Sequence, residues 1–189
     1  MAQNATARQT PSTKITTGKV RFSYANLFRP RAAAEGQDPK YSVCLLIPKS
    51  DKETLAKIRS ACEAAIETGL PLWGGKKPSG LKMPLRDGDV DREDRPEYAG
   101  HYFINCSSKQ KPGIVDRRLN EILDETEVYS GCYGRASINF YGYNQAGNKG
   151  VGCGLPNIQK LADGESLGGR SRAEDDFDAV DDDLDDLLG

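Results

Sequence analysis

Cys132–Tyr143, CYGRASINFYGY, alternates between two kinds of residue. Cys132, Gly134, Ala136, Ile138 and Phe140 are small or apolar, whereas Tyr133, Arg135, Ser137, Asn139, Tyr141 and Tyr143 are aromatic, cationic or hydrogen-bonding. A period of two over this length describes a β-strand with one face in a core and the other in water. The outer face sets tyrosine rings beside a guanidinium and an amide. Unpaired bases stack on such rings for roughly 1–3 kcal/mol each, while cations hold the phosphates between them. Tyrosines also favour any half-buried strand surface, so the surroundings must decide between the two readings.

Those surroundings are β-rich. Downstream, the turn Asn144–Lys149 leads into a second strand, Gly150–Leu161. Upstream, Lys14–Phe28 alternates after Gly18, with Val20, Phe22 and Tyr24 on one side and Lys19, Arg21 and Ser23 on the other. A turn-rich connection, Arg29–Pro39, precedes Tyr41–Ile47, a nearly all-apolar run expected of a strand covered on both faces. Ser50 and Glu53 are spaced as a capping box, and Leu55, Ile58, Cys62, Ala65 and Ile66 recur at helical spacing. A helix over about 51–68, stopped by Gly69, is predicted. His101–Ser107 and a short piece, Ile114–Asp116, read as further extended chain, and Arg117–Glu127 as an irregular connection. Leu70–Gly100 is broken by prolines and glycines, and a loop of that length in a compact domain is usually functional or mobile. Strands, turns and one helix after the second strand predict a mainly β fold, an OB-like five-stranded barrel or curled sheet.

Charge supports a polyanion partner. Of the 28 acids, nine lie in 173–189, leaving 19 in the body against all 26 lysines and arginines. The net charge of −2 is thus the average of a body at +7 and a tail at −9. Lys19 and Arg21, with Lys109 and Lys111 beyond the third strand, are placed to extend the aromatic face into a groove. Trp73, followed by Gly74, Gly75, Lys76 and Lys77, is either a loop-borne stacking residue or a core residue. No base-reading motif occurs, which fits binding without sequence preference.

Catalytic signatures are absent. Asp87, Asp89 and Asp91 imitate the start of a calcium loop, but Arg92 stands at its glycine position and Tyr98 at its closing glutamate. There is neither a phosphate-binding loop nor a nucleophile elbow. His101 is the single histidine, and the five cysteines (Cys44, Cys62, Cys106, Cys132, Cys153) show no C-x-x-C pair. Buried reduced thiols are expected, with no metal, no cofactor and no enzymatic activity. Two readings from other classes compete: a metal-dependent nuclease drawing on Asp87, Asp89 and related carboxylates, and an acidic adaptor that touches no DNA.

The ends differ from the body. Met1–Thr13 lacks the apolar core of a signal peptide and is expected to be a disordered lead-in. No apolar run approaches the roughly 20 residues that cross a bilayer, so a soluble intracellular protein without a membrane partner is expected. The folded domain is assigned to 14–169 and a flexible acidic tail to 170–189. The tail is too acidic to fold alone. Phe177, Val180, Leu184, Leu187 and Leu188 nonetheless share one side of a helix, should a partner's groove induce it.

Five segments carry a resemblance: VRFSYANLF (20–28), PKYSVCLLIPKSD (39–51), AGHYFINCSSKQKPGIVD (99–116), EVYSGCYGRASINFYGYN (127–144) and GLPNIQKL (154–161). Together, over roughly residues 14–176, they resemble a phage family of single-stranded-DNA-binding proteins similar to the OB-fold replication proteins of short-tailed coliphages. The resemblance implies coating of single strands in replication or recombination, with strand annealing, in the cytoplasm of a bacterial host. It also implies a tail that contacts replication or recombination proteins and competes with DNA for the basic groove. Self-association into a homo-oligomer is left open. Tails of that family often finish on phenylalanine, whereas this one ends Leu187-Leu188-Gly189, which implies a different partner pocket.

Overall fold

Alternating runs become strands in the computed structural model, which describes residues 12–168. In chain order these are β1 (Lys14–Thr16), β2 (Val20–Arg31), β3 (Lys40–Pro48), helix α1 (Lys52–Gly69), β4 (Leu85–Asp87), the short α2 (Gly88–Asp91), β5 (His101–Ser108), β6 (Gly113–Val115), β7 (Tyr133–Gln145) and β8 (Asn148–Ala162). β2 pairs with β3, β3 with β5, and β7 with β8, all antiparallel. β8 meets β5 in parallel at Ser107↔Gly154, and β7 returns to β2 at Val20↔Gly134. The circuit β2-β3-β5-β8-β7 therefore closes on itself, leaving no open edge among these five strands. This is the expected OB-like barrel, with its helix after the second barrel strand. β1, β4 and β6 are short additions to β7, β5 and β8.

Inward residues fill the barrel as the alternation requires. Phe22, Val43, Leu45, Ile104, Ala136, Ile138, Phe140 and Ile158 are buried there, with Leu55, Ile58, Cys62 and Ala65 of α1 packed among them. All five cysteines are buried. No helix among the described residues is long and apolar enough to cross a membrane.

Several local expectations are corrected. The helix cap is Asp51 rather than Ser50: its carboxylate accepts the Thr54 N–H at 3.1 Å and the Thr54 hydroxyl at 2.6 Å. That hydroxyl accepts the Gly18 N–H at 2.9 Å, so the cap also ties α1 to the start of the barrel. Glu53 instead faces solvent beside Lys57. Gly69 does not stop the helix through a left-handed turn, since its φ is −84°. Its missing side chain lets the Trp73 ring lie against it, where a Cβ would stand 2.9 Å from the indole.

The alternation places Tyr24 inward with Phe22, yet it is half exposed. Its φ of +47° and the register shift between Ser23 and Asn26 mark a bulge that reverses the alternation. β2 also runs on to Arg31, beyond the expected turn. The supposed irregular loop 70–100 holds β4, α2 and two short 3-10 turns, Leu70–Trp73 and Pro96–Tyr98.

The segment 88–100 covers half of one sheet face. Cys44, Leu46 and Phe103 point outward from β3 and β5, and Tyr98 closes over them, meeting Phe103 edge-on at 5.2 Å. Burial there pushes the Cys44 thiol up to about 11. Further along the same face, Ser42, Asn105 and Ser107 remain uncovered. The candidate site runs over that uncovered part and along the edge of the covering segment.

Candidate nucleic-acid interface

Tyr141 and Tyr143 stand on the outer face of β7, opposite Gly152 and Gly150 of β8. Together with Lys82, Arg86, Asn105 and Ser107 they line a hollow of about 260 Å³. Ser107 also belongs to a cleft of about 600 Å³ lined by Arg31, Lys40, Ser42, Lys109 and Gln145. Asn105 also belongs to a hollow of about 410 Å³ with Tyr24, Arg92, Arg95 and Phe103. Shared residues make the three one groove across the outer face of β5. It runs from the β2–β3 loop and the β7–β8 hairpin towards the bulge at Tyr24.

The groove is rich in flat groups. Tyr141 is 44% exposed. Arg86 and Arg92 stack on Phe103 at 5.0 and 5.2 Å, and Arg95 on Tyr24 at 5.3 Å. Burial against the sheet raises the Tyr141 phenol above its ordinary value, so the ring carries no charge near neutrality. Lys40 and Lys109 are exposed in the cleft of about 600 Å³. Aromatic rings, planar guanidinium groups and lysines in one shallow trough suit a flexible polyanion with exposed aromatic bases.

Not every sequence-predicted residue joins this groove. Tyr133 does not: β7 begins against β2, pairing Tyr133 with Arg21, eight residues and about 26 Å of strand from Tyr141. Lys19 and Arg21 stack on the Tyr133 ring at 5.0 and 5.5 Å. Arg21 also donates to the Gly131 and Glu165 carbonyls, and Arg135 to that of Thr17. These four residues form a separate basic patch in which two guanidinium groups are engaged by backbone.

Trp73 is not a loop-borne open ring. It is 7% exposed, its indole N–H donates to the Tyr143 carbonyl at 3.1 Å, and its ring lies against both Gly69 and Gly142, which touch each other. Lys76 is exposed on the turn that follows, and Lys77 lines a hollow beside α1 with Ile58, Cys62 and Met83. Lys109 does lie in the groove, whereas Lys111 sits 5.2 Å over Phe28. Asn139 pairs with Gly154, next to Tyr141 on the same outer face. The tail residues Phe177, Val180, Leu184, Leu187 and Leu188 lie outside the described residues.

Sequence reasoning missed Tyr24, Arg31, Lys40, Lys82, Arg86, Asn105 and Ser107 as residues of the candidate groove. One signal was present in HYFINCS, where Asn105 and Ser107 alternate with the buried Ile104 and Cys106.

The carboxylates invoked for a nuclease are committed elsewhere. The Lys49 ammonium lies 2.7 Å from both Asp87 and Asp89. Asp89 also accepts the Gly100 N–H at 3.0 Å. Lys49 foremost, and then that N–H, hold the Asp89 carboxyl below its ordinary value. The pair latches the 88–100 segment onto the sheet. Among the described residues no cluster of histidine, cysteine or carboxylate side chains could hold a metal ion.

Comparison with known proteins identifies the family. Residues 13–188 match the family model described as the single-stranded-DNA-binding protein of Enterobacter phage Enc34. Protein p50 of Acyrthosiphon pisum secondary endosymbiont phage 1 is 31% identical over 176 residues, covering 87% of this chain and 92% of its own length. The structure of the bacteriophage Enc34 single-stranded-DNA-binding protein in complex with single-stranded DNA superposes with a TM-score of 0.75. It is 27% identical, over 82% of this chain and 90% of that one. The bacteriophage T7 single-stranded-DNA-binding protein gp2.5 shares the fold, with a TM-score of 0.59 at 17% identity over 85% of this chain and 98% of that one.

Proposed function

The chain belongs to the Enterobacter phage Enc34 single-stranded-DNA-binding protein family, and on that premise we propose that it binds unpaired DNA in the groove across β5. Binding is independent of sequence and non-enzymatic, requires no cofactor, and serves phage replication and recombination in the cytoplasm of the host. The observation that carries this reading is the joining of Tyr141 and Tyr143 to Lys82, Arg86, Asn105 and Ser107 in one continuous trough. Bases stack on Tyr141 and Tyr143, and at the far end on Tyr24. Lys82, Arg31, Lys40 and Lys109 neutralise phosphates, while Asn105 and Ser107 offer hydrogen bonds that any base can accept or donate.

The acidic tail, 170–189, has two roles in this reading. Its carboxylates compete with DNA for the same cations. Phe177, Val180, Leu184, Leu187 and Leu188 form the apolar side of a helix induced by a replication or recombination protein. Nearly matched charges, +7 over residues 1–172 and −9 over 173–189, support the competition. Strand annealing follows from holding bases unpaired with one edge free.

Titration of a labelled oligothymidylate tests the groove. Tyr141→Ala is expected to weaken binding by about tenfold, the equivalent of roughly 1.4 kcal/mol and within the range of one lost stack. Unchanged affinity in both Tyr141→Ala and Tyr143→Ala would move the site elsewhere.

A further inference from the structure

We propose that Gly152 is a positioning residue for the DNA site: its lack of a side chain lets the Tyr141 ring lie flat on the sheet with one full face open to a base. The inference rests on the function proposed above and names what shapes its aromatic surface.

β8 reads Gly150-Val151-Gly152-Cys153-Gly154. Val151 and Cys153 point into the core, and the three glycines alternate onto the outer face, opposite Tyr143, Tyr141 and Asn139. A Cβ at Gly152 would stand 2.7 Å from two carbons of the Tyr141 ring and 2.8 Å from its hydroxyl. At Gly150 it would stand 2.6 Å from the Tyr143 hydroxyl, and at Gly154 it would meet the Asn139 amide. None of the three is among the glycines with positive φ, so the backbone does not call for glycine there. Glycine inside a strand weakens it, through backbone entropy and a missing packing surface. Three at alternate positions on one face accept that cost together, and what they gain is a bare backbone floor under the groove's polar and aromatic side chains. With any Cβ beneath it, the Tyr141 ring must lift or turn on edge, and a base loses its stacking face.

Gly152 is the cleanest test because its three nearest heavy atoms all belong to the Tyr141 side chain, whereas Gly150 also abuts the Lys82 carbonyl at 2.7 Å. The experiment compares full-length wild type, Gly152→Ala, Tyr141→Ala and the double variant by oligothymidylate titration and thermal melting. Alanine suits a strand better than glycine, so Gly152→Ala is expected to melt no lower than wild type while its affinity falls about fivefold. In the Tyr141→Ala background the same change is expected to alter affinity less than about twofold, because the ring through which it acts is gone. Wild-type affinity in Gly152→Ala, alongside a loss in Tyr141→Ala, overturns the inference alone. An equal loss in both backgrounds overturns it too, by placing the effect in the backbone. A neutral Tyr141→Ala overturns this inference, and the groove reading falls with it only if Tyr143→Ala is neutral as well. Should Gly152→Ala fail to fold, the double variant decides: a fold recovered by removing the ring supports the clash, and continued unfolding contradicts it.

Discussion

Salt dependence gives the groove a quantitative signature. Four groove cations, Arg31, Lys40, Lys82 and Lys109, make neither an ion pair nor a ring stack among the described residues, whereas Arg86 is matched by Asp91, Arg95 by Glu97, and Arg92 lies over Phe103 and donates to the Asp91 carbonyl. Each unmatched cation that neutralises a phosphate releases condensed counterion, and for single strands the logarithmic slope is about −0.7 per contact. Four contacts predict a slope near −2.8, so raising salt from about 50 to about 200 mM should weaken binding roughly 50-fold. Replacing both Lys40 and Lys109 by alanine leaves two contacts, a slope near −1.4, and roughly a sevenfold loss over the same range. Both side chains are exposed, so the fold should be unaffected. Fluorescence anisotropy of a labelled oligothymidylate at several salt concentrations reads the slope directly. Lys19→Ala combined with Lys76→Ala is the control, since neither residue lines the groove. An unchanged slope in the Lys40/Lys109 variant, or an equal shift in the control, would refute the placement of the DNA backbone.

Other outcomes follow from individual contacts. Tyr133→Ala should leave DNA affinity within about twofold of wild type, since its ring lies under Lys19 and Arg21 beyond the groove; a loss matching that of Tyr141→Ala would restore the full strand face as the site. Trp73→Ala should cost about 3–5 kcal/mol in urea unfolding, while Trp73→Phe keeps DNA affinity; a tenfold loss in a folded Trp73→Phe would return Trp73 to the site. Asp51→Ala should cost about 1–2 kcal/mol by the same assay, because the cap also orients the Thr54 hydroxyl that receives Gly18; a neutral result would dismiss the tie between α1 and the barrel.

The latch should respond to acid. Because Asp89 is held below its ordinary 3.8, its contribution is complete above that value and disappears as pH falls through the depressed one. Hydrogen exchange in 88–100, corrected for intrinsic rates, should therefore accelerate in strong acid, and Asp89→Asn should be nearly as open at neutral pH. Equal protection in wild type and Asp89→Asn would deny the latch.

What could be read from the chain was mostly local and periodic. The alternation in Cys132–Phe140 and His101–Ser107 exposes the barrel's inner face directly, because a strand's side chains change face at every residue. The spacing of Leu55, Ile58, Cys62 and Ala65 does the same for α1. Tyr24 escaped that logic because a single residue at φ +47° flips the alternation, and no neighbouring glycine announces the bulge. Tyr133 and Tyr141 share one face by period, but closure of the barrel sends the start of β7 to β2 and separates them. Trp73 looked loop-borne because its partners, Gly69 and Gly142, are each too small to signal a packing site, and Gly142 is 69 residues away. The groove itself is assembled from β2, β3, β5, β7, β8 and the 82–95 segment, so only tertiary pairing could reveal it.

The central claim is a basic barrel that grips unpaired DNA and a tail that competes for the same cations. The most direct test is titration of one oligothymidylate at low salt with two proteins, the full chain and a version ending at Arg172. Micromolar or tighter binding by both, tighter without the tail, and convergence of the two as salt rises, is the predicted result. Absence of binding by the tail-free body at low salt would contradict the account at its root.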